Sequence, residues 1–260
     1  MKVLELASVD GTLLDVAVHR PSGESVGTVV QVHGITVDKD EGGMFVRLAD
    51  RLVGSGFSVV RFSFRGHGRS GGTQKGMTIA GEMLDLQAVI DHAEAVYPGR
   101  LSIVAASFGA VSTLLSLPYL TDRLSSLVLW NPVLDLDRTF LQPELPWGME
   151  NFGSVQQGLL TRQGYLLVDG EFALGRVLFE EFRHYRPTEH FLAAAQPALV
   201  VHGDKDSYVS YDIARRAAQA RPHCQFHTVR GSDHGFDSRA YEDEAIKTTV
   251  GWLVSNHRAS

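Results

Sequence analysis

The chain is poor in cysteine, in long apolar runs and in clustered positive charge. One of its 260 residues is cysteine, Cys224. A single thiol excludes an internal disulfide and a multi-cysteine metal site, and Cys224 is expected as a buried or half-buried small apolar residue. No apolar run approaches the roughly 18 residues that a bilayer span requires. The first ten residues are interrupted by Glu5 and Asp10, so no signal peptide is expected. A soluble, cytoplasmic protein is the expectation. No run of lysine or arginine occurs and the net charge is −6, which argues against a nucleic-acid surface. Internal repeats and low-complexity tracts are also lacking. What remains is an ordinary globular composition, 44% hydrophobic and 21% charged. The length suits one large domain, or a domain with an insertion, around a sizeable core.

Two short alternating stretches, residues 3–9 and 12–19, flank Asp10-Gly11, a hairpin signal. Residues 28–33 read as an apolar strand ending at Gly34. Over 44–53, Phe45, Leu48, Ala49 and Leu52 share a helical face. Residues 57–64 read as a strand and 78–97 as a long helix, with Ile79, Met83, Leu86 and Ile90 in phase. A strand over 101–105 is followed by a helix over 108–117, and a strand over 127–130 ends in Asn131-Pro132. Later come a strand over 198–202, a helix over 211–220, a strand over 225–229 and a closing helix over 241–256. Strands alternating with helices imply βαβ units and a mainly parallel sheet. Ligands of such sheets sit beyond the carboxyl ends of the strands. Several strands here end in polar or glycine-bearing segments: His33-Gly34, Arg65-Gly66-His67-Gly68, Ser107, Asn131-Pro132 and Asp204 to Asp206.

Residues 134–196 break the alternation. They are rich in aromatics, among them Phe140, Trp147, Phe152, Phe172, Phe179 and Phe182, and hold one strong helix candidate over 171–182. The expected organisation is a core of residues 1–133 and 197–260 with an inserted lid or cap of residues 134–196.

Two serines compete for a nucleophile's place. Gly68-Arg-Ser-Gly-Gly72 matches the G-x-S-x-G pattern; Ala105-Ala-Ser-Phe-Gly109 matches it only with alanine at the first position. A nucleophile elbow needs a strand, a sharp turn and then a helix at once, with small residues two before and two after the serine. Ser70 follows its strand several residues too late and precedes Gly71, Gly72 and Gly76, which cannot start a stable helix. Ser107 leaves an apolar strand directly and enters a helical stretch, with Ala105 and Gly109 as the small neighbours. Its plainer reading is a helix N-cap.

A serine hydroxyl needs a base, and the base needs an acid to fix its tautomer. A late strand runs into Val201-His-Gly-Asp-Lys-Asp206, and the last strand into Gly231-Ser-Asp-His234-Gly. The order serine, acid, histidine is that of α/β-hydrolases. Asp204, Asp206 and Asp233 all lie near enough to serve, and Asp135, after the strand at Trp130, is a second acid position. His33 and His202 close buried strands and read as structural; His67 reads as a turn residue. No metal-ligand spacing is present, so no metal is expected.

Taken together, these pieces make the chain resemble an α/β-hydrolase over almost its whole length: His33-Gly34, Arg65-Gly66-His67-Gly68-Arg69-Ser70, the elbow at Ser107, His202-Gly203-Asp204-Lys205-Asp206-Ser207-Tyr208-Val209, and Asp233-His234-Gly235. Within that superfamily it is most similar to esterases of the cinnamoyl/feruloyl type, although alanine stands where their elbow usually has glycine. The resemblance implies a mostly parallel central sheet flanked by helices, with Asp206 as the acid and Asp204 as a turn cap. It places the oxyanion-hole N–H groups on Ile35 and Phe108. It implies a serine hydrolase that cleaves carboxylic esters of a small-molecule substrate through an acyl-enzyme, without a cofactor; the aromatic residues of 134–196 point to an aromatic or medium-length acyl group. An acyl thioesterase or acyltransferase with the same triad is the nearest alternative. A non-catalytic binding protein on the same fold is the more distant one.

Overall fold

A computed structural model describes residues 1–97 and 99–258. An eight-stranded sheet runs in the order β1-β2-β4-β3-β5-β6-β9-β10. Its strands are β1 (Lys2–Ala7), β2 (Leu13–His19), β3 (Thr28–Val32), β4 (Ser58–Phe62), β5 (Leu101–Ala106), β6 (Leu124–Trp130), β9 (Ala198–Gly203) and β10 (Cys224–Val229). β1 and β2 form the Asp-Gly hairpin expected from the sequence, and β2 pairs antiparallel with β4; every later pairing is parallel.

The central strands are mostly apolar because both of their faces are covered, with Gln31 and Arg61 among the few buried polar residues. In β3, β5 and β6 successive residues alternate between two cores, as a strand's two-residue period demands. Val30, Val32, Ile103, Ala105, Leu127 and Leu129 join one cluster. Val29, Val104, Ala106, Val128 and Trp130 join the other. Helices α2 (Ile79–Val96), α3 (Gly109–Leu120) and α8 (Tyr211–Ala220) cover the first face; α1 (Met44–Gly54) and α9 (Arg239–Arg258) cover the second. The helical phase of Phe45, Leu48, Ala49 and Leu52 is realised, and all four are fully buried. Among the described residues, no helix is long and apolar enough to cross a membrane. Cys224 is half-buried.

Residues 134–196 are more structured than the sequence suggested. They hold α4 (Pro146–Phe152), α5 (Ser154–Gln163), a hairpin of β7 (Tyr165–Val168) and β8 (Phe172–Gly175), α6 (Arg176–Phe182) and α7 (Pro187–Ala193). The helix expected over 171–182 is a correction: its first turn is strand β8, and only 176–182 is helical. The reason is Asp169-Gly170. Both residues take positive φ, 52° and 77°, the conformation a tight hairpin turn requires and an Asp-Gly pair supplies. Tertiary contacts then hold β8 extended. Ala173 N–H donates to Gln74 Oε1 at 2.9 Å, and a Cβ on Gly175 would lie 1.9 Å from Lys75 O. The segment also shares one apolar cluster with the sheet domain. Ile35, Ile79, Phe108 and Val111 pack there with Phe140, Phe152, Leu174 and Phe182.

Candidate active site

Ser107 sits between β5 and α3 at φ 50°, in the left-handed region that a non-glycine residue occupies only at a cost of about 1–3 kcal/mol. The surroundings hold it there. Its N–H donates to Trp130 O at 2.8 Å, and its carbonyl accepts from Val133 N–H at 3.1 Å. Close packing explains the small neighbours. A Cβ on Gly109 would lie 2.3 Å from His33 O, and one on Gly34 would lie 3.0 Å from Ser107 Cβ. Ala105 is fully buried, and its methyl is accommodated at the elbow's first position.

Three loops beyond the carboxyl ends of β5, β9 and β10 bring Ser107, Asp206 and His234 together. His234 Nε2 lies 3.0 Å from Ser107 Oγ, and Nδ1 lies 2.8 Å from Asp206 Oδ2. Since the carboxylate can only accept, Nδ1 carries the hydrogen and Nε2 is free to accept from the serine. Asp206 is buried and fully engaged. Its Oδ1 accepts from the N–H groups of Tyr208 and Val209 at 2.9 and 2.8 Å, and Oδ2 also accepts from His202 Nε2 at 3.0 Å. Burial by itself would raise its pKa. The His234 charge and the hydrogen bonds from His202 and His234 outweigh it and hold Asp206 well below the usual carboxylate range. For His234, burial lowers the pKa, but the charge and hydrogen bond of Asp206 prevail, with Glu41 and Asp233 adding to them. The imidazole ends above its ordinary value.

The competing residues lie elsewhere or do other work. Ser70 Oγ is spent on a loop, donating to Ser63 O at 2.6 Å and accepting from Asp15 N–H at 2.9 Å. Asp204 accepts from Gly231 N–H at 2.6 Å. Asp233 clamps two loops by accepting from Ser207 N–H and His234 N–H, both at 2.7 Å. Asp135 accepts from Arg138 N–H at 3.0 Å, outside the Ser107 pocket. His33 pins the β4 end, accepting from Phe64 N–H at 2.9 Å, and His67 is buried against Phe172.

Ser107 and His234 open into a pocket of about 210 Å³ whose walls include Gly34, Ile35, Glu41, Phe140, Trp147, Asp169 and Tyr208. Phe140, Trp147 and Asp169 come from residues 134–196. Neither Ile35 N–H nor Phe108 N–H donates to a backbone carbonyl of the described loops, and Phe108 N–H lies at the start of α3, where the helix dipole favours negative charge. Sequence reasoning missed Glu41 and Asp169, and it gave Trp147 and Tyr208 no specific place beside His234. It also took His202 as purely structural, whereas His202 touches the acid. Among the described residues, no three His, Cys, Asp or Glu side chains converge as a metal-binding group.

The model of a family described as serine aminopeptidase, S33 matches residues 23–167. The chain belongs to this S33 family of α/β-hydrolases. The fold of this S33 chain is also similar to solved structures. One is Est1E from Butyrivibrio proteoclasticus with ferulic acid bound: TM-score 0.83, 20% identity, covering 96% of this chain and 98% of that one. Another is the Pyrococcus furiosus esterase PF2001, with TM-score 0.76 and 22% identity, covering 97% of this chain and 90% of that one. A third, DcsB with a substrate analogue, has TM-score 0.74 and 16% identity, covering 99% of both chains. No curated protein matches the chain in sequence.

Proposed function

We propose that the protein cleaves carboxylic esters of small molecules through an acyl-enzyme, with Ser107 as nucleophile, His234 as general base and acid, and Asp206 as the group that orients His234. The observation that carries this reading is the continuous chain Ser107 Oγ–His234–Asp206, at 3.0 and 2.8 Å, in one pocket. As Ser107 Oγ attacks the ester carbonyl, its proton passes to His234 Nε2 and the carbonyl π pair moves onto oxygen. The imidazolium gains from ionised Asp206. The oxyanion meets Ile35 N–H and Phe108 N–H, each such donor being worth about 10²–10³ in rate. The C–O bond to the alcohol then breaks and the leaving oxygen takes the proton from His234. Water repeats the cycle on the acyl-enzyme.

Residues 134–196 roof this pocket with Phe140 and Trp147 and would set the acyl preference. A flat aromatic or medium-length acyl group fits walls of that kind, in line with the ferulic acid carried by the similar Est1E structure.

The test is labelling by a fluorophosphonate probe, with hydrolysis of p-nitrophenyl esters of graded chain length measured alongside. Wild type should label and Ser107→Ala should not. Full labelling of Ser107→Ala would refute the assignment. An acyl thioester and an aminoacyl nitroanilide assayed on the same preparation separate ester cleavage from thioester and amide cleavage by the same triad.

A further inference from the structure

Two carboxyl groups line the Ser107 pocket, Glu41 and Asp169. Asp169 is occupied, accepting from Trp147 Nε1 at 3.1 Å and Asn151 Nδ2 at 2.9 Å. Glu41 is only half engaged. Its Oε2 accepts from Gly34 N–H at 2.8 Å, while Oε1 has no hydrogen-bond partner among the described residues. A carbon at the Cβ position of Gly34 would touch both Ser107 Cβ, at 3.0 Å, and Glu41 Oε1, at 3.5 Å. The free oxygen therefore lies no farther from Ser107 Cβ than those two distances together, about 6.5 Å, on the Gly34–Ile35 side of the same pocket.

The chain holds Glu41 there against local cost. Thr36, Glu41 and Ser107 all line this pocket, and all have left-handed backbone, with φ of 70°, 47° and 50°. Non-glycine residues persist in that region when their surroundings over-determine them, and they cluster at functional sites.

Among the described residues, no lysine or arginine pairs with Glu41. Lys39 turns to Asp15 at 2.6 Å. Arg61 pairs with Asp40, and Arg47 of α1 pairs with Glu242 of α9. The charged groups that do face Glu41 are Asp38 of its own loop, Asp169 across the pocket and His234 of the last loop, with Asp206 and Asp233 behind His234. His33, beneath Gly34, is kept neutral by burial, which holds it well below the ordinary histidine range. Burial raises the Glu41 carboxyl to about 7; Gly34 N–H and His234 oppose the rise and Asp38 adds to it.

We propose that Glu41 is a further catalytic residue of this site, acting as a carboxylic acid that donates from its free oxygen to the substrate bound at Ser107. The proposal rests on the serine-hydrolase reading above. It requires one group protonated, Glu41, and one unprotonated, His234. As pH falls, His234 gains its proton and the base is lost. As pH rises, Glu41 loses its proton, and a donor beside the developing oxyanion becomes a negative charge. The profile is therefore a bell, and its limbs belong to the coupled pair rather than to either residue. Glu41→Gln keeps an N–H donor, and an oxygen for Gly34 N–H, at every pH.

The experiment measures kcat/KM for p-nitrophenyl acetate and the rate of fluorophosphonate labelling from about pH 5 to about pH 9. Wild type, Glu41→Gln, Glu41→Ala and Ser107→Ala are compared, with circular dichroism confirming the fold at each pH. The wild-type rate should fall on the alkaline side. Glu41→Gln should lose the alkaline fall and remain faster than Glu41→Ala. Glu41→Ala should be slower near pH 6 by about tenfold or more, as for loss of a preorganised donor. A wild-type rate that stays level to the alkaline end, or an unchanged alkaline fall in Glu41→Gln, overturns the role of Glu41 and leaves the triad standing. If the probe labels Ser107 but no ester is hydrolysed, the labelling profile alone decides for or against Glu41. Full labelling of Ser107→Ala removes the triad and this proposal with it.

Discussion

Tyr208 lies flat on the imidazole of His234, with ring centroids 4.7 Å apart and planes 7° from parallel. Trp147 stacks on Tyr208 in turn, at 4.6 Å and 10°, and Asp169 holds the indole N–H. Three rings thus join the proposed base, His234, to residues 134–196. An aromatic face also attracts a cation, so the stack favours a protonated His234, as the proposed acylation step requires.

Tyr208→Ala should lower kcat on p-nitrophenyl esters by about tenfold or more with a smaller effect on KM, because misplacing a catalytic group by about 1 Å can cost up to ~10² in rate. Tyr208→Phe keeps the ring and should stay near wild type. Steady-state kinetics of the two variants decide it; an unimpaired kcat in Tyr208→Ala would show that the loop alone positions His234.

Ser70→Ala should leave fluorophosphonate labelling intact. It removes the hydroxyl from two loop hydrogen bonds, so it should cost stability of about 1 kcal/mol per bond. Urea denaturation beside the labelling assay separates the two effects. Loss of labelling in a folded Ser70→Ala protein would return Ser70 to the site.

Asp206→Asn should reduce kcat by up to about 10⁴, since the amide favours the wrong tautomer of His234, while Asp135→Asn should change little. The folded Asp206 titrates below its unfolded value. Its stabilisation is therefore present above the unfolded pKa, near ~3.9, and is lost as pH falls through the folded value. Wild type should lose stability more steeply than Asp206→Asn between about pH 5 and about pH 3, as read by urea midpoints. For activity, the raised pKa of His234 places the acid limb above the ordinary ~6.5. A collapse in Asp135→Asn instead would move the acid to the β6 end.

Gly109→Ala should destabilise the protein by about 1–3 kcal/mol, the usual cost of overpacking. The added carbon meets the His33 carbonyl at 2.3 Å, and α3 must shift to make room. Thermal melting gives the stability loss, and the probe-labelling rate should fall with it. An unchanged melting temperature would show that the elbow has slack the close approach does not suggest.

The βαβ frame was legible because each element carries its own period. Val29 to Val32 (but for Gln31), Ile103 to Ala106 and Leu127 to Trp130 are apolar because both faces are buried, and Phe45 to Leu52 carries a helical stripe. The elbow was legible for a related reason: strand, serine and helix are contiguous, so the strained turn at Ser107 is a local event. Helix 171–182 was misjudged where local signals conflicted. Its apolar pattern suits a helix, but Asp169-Gly170 closes a hairpin and Gln74 and Gly175 hold β8 extended, contacts about a hundred residues apart in sequence.

The amino-acid order by itself determined the sheet's alternation, the place of the sharp turn and the residue types available at the strand ends, because each depends on neighbours within a few positions. Tertiary structure alone decided which groups meet. Asp204, Asp206 and Asp233 are equally acidic on paper; only Asp206 reaches His234 Nδ1, while the other two accept from backbone N–H groups of the adjoining loops. Glu41 has no motif to mark it, and the neighbourhood it shares with Ser107 arises from the close approach of Gly34 to the elbow. The Trp147–Tyr208–His234 stack spans 87 residues of chain, from helix α4 to the loops after β9 and β10. Burial, charge pairing and ring stacking depend on distance in space, and distance in space between remote segments is set only when the sheet, its helices and residues 134–196 close around one core.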